Sequence, residues 1–303
     1  MIRFHQVSKR FGVVQAVDGV SLTINPGERV ALIGTNGSGK TTLIRALCGL
    51  LRIDGRIEVF GTDVAKHPQL ALRSLAYMPQ LAPPLDAPVR ELVRAFAALR
   101  GKTVAQVSAR SQRLGLDLEA VAKTRVRDLS GGMKQKLLAA LALASDAPVL
   151  VCDEPTANLD ASARAAFFDE VNARPAPAIL VLCSHRVEEV RHLVDRVIEL
   201  QDGRVVEDGS LASVLSHLRA FRVDLSFRDA AAGDAETAQL EARGFQRVGS
   251  GHFQGRFAQT AKVELLGRLV STYGDRLLDL SVTEAESLRD TNAAVAMMKG
   301  VSQ

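Results

Sequence analysis

The chain has 303 residues, 47% of them hydrophobic, enough to bury one large core or two unequal ones, so disorder is not the default. Lys and Arg number 38 against 34 Asp and Glu; the formal charge of +4 and the lack of a basic block do not argue for nucleic acid. The apolar runs in "RVALIGTNG" and "PVLVCDEP" are far shorter than the ~18–20 residues of a spanning helix, and "MIRFHQVSKRFG" has no continuous apolar leader segment.

In chain order, "MIRFHQVSKRFG" and "AVDGVSLTINPGE" read as strands, the second ended by the Asn25-Pro26-Gly27 turn. "RVALIG" is a short apolar strand of the kind buried on both faces of a sheet. It runs into the glycine-rich "GTNGSGKTT", and "KTTLIRALCGL" continues as a helix. "RIEVFG" and "SLAYMPQ" are further strands. From about Leu85 to Arg127 the pattern is amphipathic and helical with no strand, which predicts an all-helical insert. "GGMKQKLLAALALA" opens a helix at a second glycine turn, and "PVLVCDEP" is again a buried strand. A helix from Ser162, the strand "AILVLCS", the helix "RVEEVRHLV" and a hairpin turning at Asp202-Gly203 follow.

After a short helix around Leu211–His217 the period changes. Phe221, Val223, Leu225 and Phe227 alternate with polar residues, as in a half-buried strand. The order strand, helix, strand, strand, helix, strand then predicts a ferredoxin-like arrangement over about 220–283, with an uninformative frayed or helical tail after Leu288. The three cysteines, Cys48, Cys152 and Cys183, lie in apolar surroundings without zinc-ligand spacing and read as buried thiols in a reducing compartment. The expectation is a soluble, intracellular chain.

The chemistry concentrates in three places. Gly34, Gly39, Lys40 and Thr41 match a phosphate-binding loop between a buried strand and a helix. Glycines let backbone N–H groups face a polyphosphate, the helix N-terminus adds its positive end, Lys40 brings a mobile charge and Thr41 an oxygen for Mg²⁺. Asn36, Gly37, Ser38 and Thr42 complete the predicted cradle. In "VLVCDEP" a buried strand ends with Asp153 and Glu154, where a carboxylate lies beside such a loop; Asp153 can hold Mg²⁺ and Glu154, pointing to the opposite side, can polarise a water. Ser130, Gly131 and Gly132 open the helix "MKQKLLAALALA" and form a second anion-ready corner. Alone, Ser130 would be an ordinary helix cap. A second cradle is useful only if it closes over the exposed γ-phosphate from the far side. The helical insert should carry it away from its own loop, and two copies facing head to tail solve this.

"GTNGSGKTT", Gln80 after "YMP", "LSGGMKQ", "VLVCDEP", "ANLD" and "CSH" resemble, in order and spacing, the motifs of the ATP-binding cassette family, over roughly residues 1–217. The resemblance implies a P-loop α/β fold with an all-helical subdomain at about 85–145; the element order after it adds a small α+β, ferredoxin-like accessory domain at 218–303. It implies that Phe11 stacks on adenine, that Gln80 touches Mg²⁺ and the attacking water and links to a membrane partner, and that Ser130 and Gly132 contact the partner subunit's γ-phosphate. Asp160 would tie the two sites together and His185 would contact the γ-phosphate. Apart from that family frame, Phe11, Gln80 and His185 have ordinary core or surface readings.

The function so implied is an ATPase, using ATP and Mg²⁺, that works as a homodimer or heterodimer on the cytoplasmic membrane face, docked on a separate permease. "GGMKQKL" and the C-terminal extension resemble exporter ATPases of the ABC-2 type. An importer subunit, a cassette ATPase acting on ribosomes or DNA, and a regulatory module without turnover are the other classes. One cassette with an insert of ordinary length speaks against the second, and the intact Asp153–Glu154 pair against the third.

Overall fold

The computed structural model describes residues 1–184, 191–218, 220–228, 234–258 and 261–285. The chain divides into two compact units, Met1–Leu211 and Ala212–Gln303. The division falls at the start of the short helix whose end marks the change in hydrophobic period.

The first unit holds two sheets. Strands β1 (Ile2–Phe11), β2 (Val14–Ile24), β4 (Asp54–Val59) and β5 (Thr62–Asp63) form an antiparallel sheet in the order β2-β1-β4-β5. The second sheet runs β10-β9-β3-β8-β7-β6, from β3 (Arg29–Ile33), β6 (Leu75–Met78), β7 (Val149–Asp153), β8 (Ile179–Cys183), β9 (Arg196–Gln201) and β10 (Arg204–Ser210). All neighbours in it are parallel except the β9–β10 hairpin. Its Asp202-Gly203 turn has φ of 49° and 78°, the doubly left-handed geometry that keeps two twisted strands aligned.

Every residue of β7 and β8 is buried, as the unbroken apolar runs require of central parallel strands. Val149, Val151, Ile179, Val181 and Cys183 join side chains of β1, β3 and helix α1 (Lys40–Leu47) in one core. Each fully buried Val, Leu or Ile there contributes roughly 1.5–3 kcal/mol. The short helix α2 (Pro68–Arg73), begun by Pro68, was not legible in the sequence.

The insert is helical. Helix α3 (Val89–Arg100) ends at Gly101 in the left-handed conformation, and α4 (Val104–Arg113) starts with a Thr103–Gln106 capping box. Val89, Val93, Val107, Leu116, Leu129, Leu137 and Leu141 form a core of their own. Helix α5 (Gly131–Ala144) serves two sides: Leu137 and Leu141 belong to that core, and the helix also packs on β6 and on α6 (Ala161–Asn172). Its Ala/Leu composition suits a helix buried nearly all round.

In the second unit, α7 (Leu211–Leu218) precedes β11 (Ala220–Phe227), α8 (Asp234–Ala242), β12 (Phe245–Gly249), β13 (His252–Ala258), α9 (Lys262–Tyr273) and β14 (Leu277–Ala285). The sheet order is β12-β13-β11-β14 with every neighbour antiparallel, which is the split βαβ topology. Phe221, Val223, Leu225 and Phe227 point into a core shared with Leu240, Phe245, Phe253, Leu269 and Tyr273. The tail after Leu288 lies outside the described residues.

Candidate nucleotide site

The phosphate loop leaves β3 at Gly34 and closes at Gly39, the N-cap of α1. Both glycines are required by space as well as by backbone angle. A Cβ on Gly34 (φ 143°) would stand 2.2 Å from Leu200 O, and one on Gly39 (φ 104°) 2.3 Å from Ala16 O. The loop is thus pressed between β2 and β9. The hairpin turn buttresses it, since the Gly203 N–H donates to Ser38 O at 3.1 Å and the Asp18 N–H to Gly203 O at 2.9 Å. Lys40 is 7% exposed, and its ammonium donates to Gly34 O (2.7 Å) and Thr35 O (2.9 Å). That arrangement holds a positive charge at the mouth of the loop beside the N–H groups of the first turn of α1, where Thr41 and Thr42 stand. Asn36 and Gly37 form the exposed crown of the loop.

Asp153, the last residue of β7, is 2% exposed. Its Oδ1 lies 3.3 Å from the Thr41 hydroxyl, and Oδ2 is buried without a hydrogen-bond partner. Burial pushes its carboxyl above the usual range; the Thr41 bond opposes this, Glu154 adds to it, and Arg45 and Lys40 oppose it. A hydroxyl and an orphaned carboxylate oxygen, both hard donors beside a phosphate cradle, fit Mg²⁺.

Glu154 departs from the expectation drawn from strand alternation. The strand ends at Asp153, and Glu154 has φ 48°, a left-handed conformation held by its N–H donating to Cys183 O at 3.0 Å. The turn, not the pleat, sets the direction of its side chain. A non-glycine residue in this region carries strain of order 1–3 kcal/mol, a feature that clusters at reacting centres.

The second glycine corner is a capped helix start. Ser130 Oγ accepts from the Met133 N–H at 3.2 Å, while Ser130 and Gly131 are exposed. Leu129, just before it, is buried in the core of the insert and not in that of the phosphate loop. Asp160 caps α6 by accepting from the Ala163 N–H at 2.8 Å.

Gln80 is exposed in the bend after β6. Phe11 ends β1, 48% exposed, with Lys9 Nζ 5.2 Å from its ring centre. His185 lies outside the described residues, as does most of the helix expected after it. The three thiols are buried; burial raises Cys48 to about 12 and also pushes up Cys152 and Cys183, so all are inert at neutral pH. Sequence reasoning missed the roles of Gln135 and Lys136. The available signal was three adjacent polar residues, Lys134, Gln135 and Lys136, on an otherwise Ala/Leu-rich helix.

The profile of the family described as "ABC transporter" matches residues 17–157. The Nod factor export ATP-binding protein I of Paraburkholderia xenovorans is 35% identical over 71% of this chain and 72% of that protein. The chain belongs to the ABC transporter ATP-binding family. A daunorubicin resistance ATP-binding protein of Streptomyces coeruleorubidus is 34% identical over 78% of this chain and 76% of its own length. Among solved structures, an ATP-binding subunit of an ABC transporter aligns with a TM-score of 0.64 and 27% identity, covering 71% of this chain and 91% of that one. This ABC subunit is an ATPase, and the matched stretch contains its phosphate loop, Gln80, the Ser130 corner and the acidic pair. Among the described residues no helix is long and apolar enough to cross a membrane.

Proposed function

We propose that the chain energises export through a separate transmembrane permease, by ATP-driven head-to-tail closure of two ATPase copies at the cytoplasmic face of the membrane. The observation that carries this reading is that the chain has two anion-ready helix starts, Gly39–Thr41 and Ser130–Gly132, seated in different apolar cores. The first grips a triphosphate from one side; the second has no phosphate of its own to serve and caps the partner's. Export rather than import is supported by two relatives, one named for Nod factor export and one for daunorubicin resistance.

In this mechanism Phe11 stacks on the base, and Gly34, Asn36, Gly37, Ser38, Gly39, Lys40, Thr41 and Thr42 wrap the phosphates. Thr41, Gln80 and Asp153 would hold Mg²⁺, which when bound neutralises charge developing on the phosphate oxygens. Glu154 takes a proton from the attacking water as its oxygen bonds to the γ-phosphorus and the bond to the β-phosphate oxygen breaks. His185 and Gln80 contact the γ-phosphate and the water. Closure and reopening drive the permease because ATP and ADP favour the two arrangements unequally. The accessory domain, 218–303, is assigned a stabilising or dimerising role.

The test is Glu154→Gln, which removes the proton acceptor and leaves both cradles. With saturating MgATP it is expected to hydrolyse at least ~100-fold more slowly and to run as a stable dimer in light scattering. A variant that stays monomeric with nucleotide and permease present overturns the sandwich.

A further inference from the structure

Helix α5 grips the loop that leaves the acidic pair at three points. Gly132 lies so close to it that a Cβ there would stand 3.2 Å from Asn158 O. Gln135, 2% exposed, donates from Nε2 to Pro155 O at 3.1 Å. Lys136 Nζ lies 2.7 Å from Asp160 Oδ2, while the other Asp160 oxygen is used to cap α6. Pro155 follows Glu154 directly, and Asp160 is the last residue before α6, so adjacent residues of one helix hold both ends of the segment.

Stability alone does not explain these choices. The Lys136 side chain is 16% exposed and that of Asp160 57%, and an ion pair so open to water contributes little to folding. A buried amide such as that of Gln135 is unfavourable unless bonded, and an apolar residue would serve the surrounding Ala/Leu packing at least as well. What the two contacts do supply is geometry. The Lys136 ammonium also holds the Asp160 carboxyl below the ordinary carboxylate range.

We propose that Lys136 is a positioning residue for hydrolysis, fixing the 155–160 loop through Asp160, and with it Glu154, to the helix whose N-terminus caps the partner's nucleotide. From Ser130 to Lys136 is less than two turns, about 9 Å of stiff helix. A shift of the Ser130 corner on meeting the partner's γ-phosphate therefore reaches the chain's own Glu154. Each subunit thus senses the other's ATP before its own carboxylate is placed. The inference rests on the head-to-tail reading.

Its test is Lys136→Met, close in length but uncharged, beside Lys136→Arg in the full chain. Lys136→Met is expected to lower kcat about tenfold, with the KM for MgATP within about twofold and thermal unfolding little changed. Lys136→Arg is expected to restore most of the rate. In an Asp160→Asn background, Lys136→Met is expected to change kcat less than twofold further, because its partner is already gone. Combined with Glu154→Gln, Lys136→Met is expected still to dimerise with MgATP. A wild-type kcat in Lys136→Met, or equal losses in both backgrounds, overturns the positioning role. Failure of Glu154→Gln alone to dimerise overturns the sandwich instead, so the two failures are distinguishable.

Discussion

The Thr41 hydroxyl lies 3.3 Å from Asp153 Oδ1, although 112 positions separate the two residues. The parallel sheet brings them together, since β3 feeds the phosphate loop and β7 ends at Asp153, one strand away across β8. The other carboxylate oxygen is buried and unpartnered, and burial raises the pKa above the ordinary 3.8. The folded chain therefore holds this proton more tightly than the unfolded chain. The stabilisation from that proton is complete below about pH 3.8 and is lost as pH rises through the raised value. Asp153→Asn removes the buried charge. Without Mg²⁺ and nucleotide it is expected to be more stable at neutral pH, with a flatter loss of stability as pH rises from the acid side. Turnover is expected to fall by at least ~100-fold for want of a metal ligand. Urea unfolding across pH, beside an ATPase assay, checks both halves. A variant less stable than the parent at neutral pH would show that the carboxylate is satisfied in the free protein.

Phe11 carries a second expectation. It ends β1 almost half exposed, so its ring is open to a base. Stacking between an aromatic ring and a base is worth ~1–3 kcal/mol. Phe11→Ala is expected to weaken ATP binding about tenfold and to leave kcat at saturation within about twofold, because no phosphate contact is touched. Phe11→Tyr is expected to bind as the parent does. Titration with a fluorescent ATP analogue measures each affinity.

The parts of this molecule that were legible in the sequence are those where one residue type has one physical use. Glycines at 34 and 39 stand where a Cβ would strike backbone, and the unbroken apolar runs of β7 and β8 are central strands. The alternation of Phe221, Val223, Leu225 and Phe227 marked the inward face of β11. What stayed hidden depends on contacts distant in sequence or on local backbone. Helix α2 has one turn and a half and no usable period. The left-handed Glu154 is imposed by a carbonyl of β8, which no local pattern announces. The grip of Gln135 and Lys136 needs a loop some 20 positions further on, and helix periodicity says nothing about what a polar side chain will meet.

Glu170 predicts how firmly the helical insert is held. It is 7% exposed on α6 and accepts from Arg110 and, at 2.5 Å, from Arg113, both on α4. Asp146, after α5, joins the cluster through Arg110 at 3.8 Å and pairs with Lys102 at 2.6 Å. Removing one partner of a fully buried pair costs ~3–5 kcal/mol. Here the arginine side chains are 32% and 62% exposed and can turn to water, so Glu170→Ala is expected to cost about 1–2 kcal/mol in urea unfolding. Glu170→Gln, which still accepts a hydrogen bond, is expected to cost less. A loss equal to that of a fully buried pair would mean that the arginines remain fixed once the carboxylate is gone.

Phe253 gives the last prediction, for the second unit. It is 1% exposed, meets Phe227 edge to face at 5.8 Å, and belongs to a core made entirely of residues after Ala220. A unit with its own core is expected to unfold as its own cooperative step, so calorimetry of the full chain should show two transitions. Phe253→Ala deletes most of a buried ring and should cost ~3–5 kcal/mol, which is most of the stability of a domain this small. The variant is therefore expected to lose one transition, keep the other within about 2 °C, and retain basal ATP hydrolysis, because every residue assigned to the nucleotide precedes Leu211. If both transitions fall together, folding of the cassette depends on the accessory domain. If ATP hydrolysis is lost while the remaining transition stays in place, the domain instead takes part in turnover.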